Sequence, residues 1–252
     1  MLDMVVKKID PTHGFERLWR AATDLMLQRC ALEQVDPAEA QQAFLDIILN
    51  APEKRTIRRI SYADDKFFQA LMFGLYEIVS SYQCCEDIVQ YLRRHPRGLN
   101  GITKLRYLRF IIEAYLQEMY ILRERLDRFP GNLRSAAKKG SEVHVILKKL
   151  IRELRQIVDS HLRGIIGLRC QHVHSCRFSD GELSALSTLE FLVNKASVPL
   201  EGMYEVRFIR LRKKWQNSVR NNNQVIQTLL DGYAELIYSA VFTKAGKLRG
   251  VL

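Results

Sequence analysis

Eight apolar side chains, Leu105, Leu108, Ile112, Tyr115, Met119, Leu122, Leu126 and Phe129, recur at alternating spacings of three and four. That period belongs to an α-helix with one continuous packing seam. A seam this long cannot stay in water, so it demands helical partners. The next candidate partner starts near Ser141 and carries Leu147, Leu150, Leu154, Ile157, His161, Gly164 and Leu168 at similar spacing. "FPGN" is expected to stop the first helix, leaving a connection of about ten residues. Two long antiparallel helices so joined predict an all-α fold, a helical bundle with a central long helical hairpin.

The rest of the chain agrees with that class. Alternating strands and internal repeats are not evident, and the six prolines and thirteen glycines fall mostly between periodic segments. Phe15, Leu18, Trp19, Ala22, Leu25 and Met26 mark a first helix, and Asp36-Pro37 opens a second with Phe44, Leu45, Ile48 and Leu49 on its apolar face. A third is expected from about Ala63 to Val79, followed by a shorter one to about Leu92. "RRHPRGLNG" then breaks the pattern. Ser179 and Glu182 fit a capping box, so a helix should begin near Asp180, with Leu183, Leu186, Leu189 and Leu192/Val193 inward. A basic segment, 204–223, and a last helix from Val225 to about Val241 complete the reading. The organisation expected is an N-terminal helical lobe over 1–100, a helical core over 101–198 and a basic helical segment over 199–252.

At 252 residues, with 47% hydrophobic and 27% charged residues, the chain can bury a sizeable core. No apolar run reaches the roughly 18 residues of a spanning helix, and the first residues lack a secretory h-region. An intracellular, cytoplasmic protein without a membrane partner is expected. Five cysteines, an odd number with Cys84 and Cys85 adjacent, point to reduced thiols. The net charge of +11 favours a polyanionic partner. Arg207, Arg210, Arg212, Lys213, Lys214 and Arg220 concentrate it and are candidate RNA contacts. Tyr204, Phe208 and Trp215 either stack bases or form the buried face of an amphipathic helix, and their spacing favours burial.

The chemistry-bearing stretch is "RCQHVHSC", 169–176. Cys170, His172, His174 and Cys176 are competent zinc ligands, but they alternate by two. Extended, the outer cysteines stand about 20 Å apart; on a helix they point to different sides. No metal or other cofactor is expected. Arg169 and His174 are the better pair: arginine grips a phosphate bidentately, and histidine moves protons near neutral pH. They can serve one phosphate only where the helix ends between them, because five residues turn a helix by about 500°. Arg155 and His161 have similar spacing but lie mid-helix, with His161 in the apolar seam, where a core histidine is expected. Gly-rich phosphate loops, G-x-S-x-G elbows, paired-carboxylate signatures and H-E-x-x-H motifs are missing.

"RLDRF", the helix from Ser141 and "LRCQHVHSCRFSDGELSALSTLEFL" together resemble the core of the HEPN superfamily over about residues 102–197. Its signature is R-x(4–6)-H at the end of a long helix, followed by another helix. The resemblance implies a metal-independent endoribonuclease of toxin–antitoxin or phage-defence systems, usually a homodimer that joins two Arg/His pairs in one cleft. It gives Arg169 and His174 the catalytic roles. Cys170 departs from the Asn, Asp or His usual after the arginine, and His172 is the candidate for the missing polar group. RNA, a second copy of the chain and an antitoxin or other protein are the partners implied. A catalytically inactive helical protein-interaction module is the alternative.

Overall fold

The computed structural model describes residues 13–32, 66–94, 103–174, 181–195 and 199–250. These form an all-α helical bundle of six helices: α1 (His13–Leu32), α2 (Lys66–Arg93), α3 (Lys104–Ala136), α4 (Glu142–His174), α5 (Gly181–Lys195) and α6 (Glu201–Val241). An isolated antiparallel bridge, Phe242 to Leu248, follows α6. The expected helix after Asp36-Pro37 lies outside the described residues.

All eight seam residues of α3 are buried. Antiparallel pairing of α3 with α4 is marked by Arg123 to Asp159 at 2.9 Å and Arg155 to Asp127 at 2.6 Å. These pairs are partly solvent-accessible, so burial of the seam contributes more to the hairpin than the ion pairs do. Thr103 Oγ1 accepts the Arg106 N–H at the start of α3, and Ser141 Oγ accepts the His144 N–H at the start of α4. Gly140, at φ +86°, makes the turn between them.

α3 does not stop at "FPGN". It runs through Pro130 to Ala136, which shortens the connection to five residues, 137–141. Proline lacks the N–H that the carbonyl four residues earlier would accept. That carbonyl belongs to Leu126, and the buried Tyr233 hydroxyl donates to it at 2.7 Å. A side chain from α6 replaces the missing backbone donor. Burial raises the Tyr233 phenol well above its ordinary pKa, so the proton is retained.

Two further expected breaks are absent. α2 is one helix, because its apolar row continues through Tyr82, Cys85, Ile88, Val89 and Leu92 without a breaker. α6 is one helix of 41 residues that carries "RNNN" in its interior. Asparagine is a weak helix former, but buried Asn223 accepts from the Tyr115 hydroxyl at 3.2 Å and donates to the Cys85 carbonyl at 3.0 Å. The triple-asparagine segment is thereby tied to α2 and α3.

The described residues divide into two compact units. The first comprises described parts of 1–79, 124–158 and 227–252; the second comprises those of 80–123 and 159–226. In the first, α1 packs on the C-terminal half of α6. Asp231 accepts the N–H groups of Gly14 and Phe15, two of the unsatisfied donors at the start of α1, and Arg17 pairs with Glu235 at 2.7 Å. Gly74 of α2 lies so close to Phe129 that a Cβ there would overlap the ring. In the second unit, α5 lies antiparallel to α6: Tyr204 donates to Glu190 at 2.8 Å, and Lys214 meets Glu182 at 2.9 Å.

Candidate functional site

The predicted catalytic residues form the end of α4. The helix continues through Arg169, Cys170 and His172 to His174, the last described residue before 181, so it does not break between the pair. The side chains of 168–174 lie outside the described residues, and so do Cys176 and Ser179. The backbone register can be stated. Arg169 and His172 are three residues apart and continue the row of Val158, Leu162 and Ile165. His174 lies about 140° around the axis from Arg169, on the register of Arg163 and Gly167, both exposed. Along the helix, Arg169 and His172 therefore share one register, while His174 stands at a different one.

His161 differs from expectation. It is exposed, with Nδ1 3.2 Å from Ser160 Oγ, and Leu162 is buried instead. A strict seven-residue pattern drifts by about 20° per heptad against a straight α-helix. By the third turn of the expected seam the inward row has moved on by one residue: it reads Val143, Leu147, Leu154, Val158 and Leu162.

The basic stretch lies on the N-terminal half of α6. Arg207, Arg210, Lys213 and Arg220 are exposed, and none has an ion-pair partner among the described residues. Lys213 and Arg220, seven residues apart, share one side of the helix. Lys214 is exposed but engaged by Glu182, and half-buried Arg212 stands with its guanidinium 5.9 Å from the Phe208 ring centroid. Tyr204 and Phe208 are buried and Trp215 half-buried, which makes the aromatics the inner face of the helix and removes the first two as base-stacking platforms.

The same helix holds a feature that sequence reading missed. Met203, Val206 and Ile209 are all exposed, on the side away from Tyr204, Phe208 and Leu211. Their signal was apolar residues on both faces of "MYEVRFIRL". Buried Cys85, close to Met119 at 3.8 Å between sulfurs, has its thiol pushed well above the ordinary range by desolvation, whereas Cys84 is exposed. No group of three or more potential metal ligands occurs among the described residues, and no described helix is long and apolar enough to cross a membrane.

No family model matches the chain, nor does any curated protein or solved structure.

Proposed function

We propose that the chain is a HEPN-like, metal-independent endoribonuclease or RNA-binding protein that works as a homodimer, in a defence or toxin–antitoxin setting. The observation that carries the reading is positional. Arg169, His172 and His174 occupy the last two turns of the long antiparallel helix α4, and another helix, α5, begins after residues 175–180. The six basic residues of α6 belong to the same compact unit.

The chemistry needs only these side-chain types. Histidine takes the proton of a ribose 2′-hydroxyl, whose oxygen attacks the adjacent phosphorus. The P–O5′ bond breaks, the leaving oxygen is protonated, and arginine holds the charge that builds on the phosphoryl oxygens. The products are a 2′,3′-cyclic phosphate and a 5′-hydroxyl. Because His174 is about 140° from Arg169 on one helix, a second copy of the chain is part of the proposal: it supplies the histidine that one chain does not align. His172 is the polar neighbour of Arg169 in place of the side chain missing at Cys170. Arg207, Arg210, Lys213 and Arg220 hold the RNA backbone, and Arg212 and Lys214 contribute as they leave Phe208 and Glu182.

The test is RNA cleavage in EDTA, with product ends identified. Wild type should cleave and leave cyclic phosphate; His174→Ala and Arg169→Ala should each lose on the order of 100-fold or more in rate. Mixing the two inactive variants should restore part of the activity. A requirement for divalent metal, or activity that survives His174→Ala, removes the mechanism. The alternative of an inactive interaction module draws on one observation, the exposed apolar residues of α6.

A further inference from the structure

The outer face of α6 is built from two parallel ridges. Met203, Val206 and Ile209 step by three along one, with relative exposures of 43%, 59% and 51%. Arg207, Arg210 and Lys213 step by three along the next, each four residues on from its apolar counterpart. Rows at i±3 are the ridges by which helices pack, and the groove between two such rows accepts a ridge of another helix. Among the described residues the apolar ridge stays exposed, and this part of α6 packs inward through Tyr204, Phe208 and Leu211. The cationic ridge has no ion pair among the described residues.

We propose that this face docks an acidic amphipathic helix of a protein partner. The occupant's apolar row meets Met203, Val206 and Ile209, and its carboxylates meet Arg207, Arg210 and Lys213. Charge complementarity excludes a second copy of the same face, which would set three cations against three. The aliphatic ridge disfavours RNA as the occupant of the whole face: phosphates gain nothing from burying Val206 or Ile209, and Tyr204 and Phe208, which would stack bases, point into the bundle. An acidic helix uses both ridges at once, in the helix-in-groove mode of recognition. The inference does not depend on RNA cleavage, although it draws on cations that the RNA reading also uses.

The probe is a fluorescein-labelled synthetic peptide of about 18 residues with leucines at i, i+3, i+4 and i+7 and glutamates beside them, titrated with the full-length protein and followed by anisotropy. Comparators are a scrambled peptide of the same composition and an oligouridylate. The amphipathic peptide should bind about tenfold or more tightly than the scramble. Val206→Ser with Ile209→Ser should weaken it by about tenfold and leave oligouridylate binding unchanged; Arg210→Gln with Lys213→Gln should weaken both probes. The substituted side chains are exposed, and unchanged circular dichroism confirms that each variant is folded. Equal binding of the scramble overturns the proposal. So does an unchanged peptide affinity in the Val206→Ser, Ile209→Ser variant, and oligouridylate outcompeting the peptide at equal concentration would assign the face to RNA instead.

Discussion

Pro130 is the residue at which sequence and fold part most instructively. In isolation its missing N–H and its clash with the preceding turn end a helix. Tyr233 sits 103 positions later, and no local rule connects the two. In the folded chain its hydroxyl satisfies the Leu126 carbonyl that Pro130 leaves without a donor. Tyr233→Phe should therefore cost about 1–3 kcal/mol, since a buried acceptor loses its partner. Pro130→Ala restores the backbone donor, so the same tyrosine change in that background should cost about 1 kcal/mol less. Urea denaturation of the four proteins in this cycle measures the difference; equal costs in both backgrounds would mean that the hydroxyl does not stand in for the backbone.

The helices themselves were legible wherever local periodicity and packing agree. The α3 seam is buried residue for residue, because its 3-4 spacing and its partners select the same face. α4 was legible as a long helix starting near Ser141 but not in phase, since the inward row follows 3.6 residues per turn and the written pattern follows 3.5. The starts of α4 and α5 could be read from Ser141 and from the residues before Gly181. The continuity of α6 could not, because it rests on Asn223 reaching Tyr115 and Cys85 from 108 and 138 residues away. Asn223→Ala should destabilise the protein by about 2 kcal/mol by removing the buried groups that accept from the Tyr115 hydroxyl and donate to the Cys85 carbonyl. Adding Tyr115→Phe should then cost less than it does alone, a non-additivity that thermal or chemical unfolding can read. The candidate catalytic pair was legible as a motif at a helix end; that the helix extends to His174, separating the pair in register, was not, because no glycine or proline marks the terminus.

Neither compact unit is a contiguous piece of sequence: one combines three stretches and the other two. Segment 101–198, the helical core expected from the sequence, holds α3, α4 and α5 without α6. The groups that α6 supplies to α3, Asn223 and Tyr233, are then missing, and the apolar side chains they accompany lose their cover. Expressed alone, 101–198 should bind a hydrophobic dye and be cleaved rapidly by protease while retaining helical circular dichroism. A protease-resistant, dye-silent fragment would show that the hairpin and α5 suffice.

The Pro130–Tyr233 contact also has a consequence in time. A ribosome delivers the chain from its N-terminus, at about 5–20 residues per second. Leu126 and Pro130 therefore emerge about 5–20 s before the tyrosine that completes their turn. Throughout that interval the nascent hairpin carries an unfinished turn and a seam that α2 can meet but α6 cannot. Structure acquired during synthesis is provisional in this protein, and the final arrangement waits for the last helix to arrive.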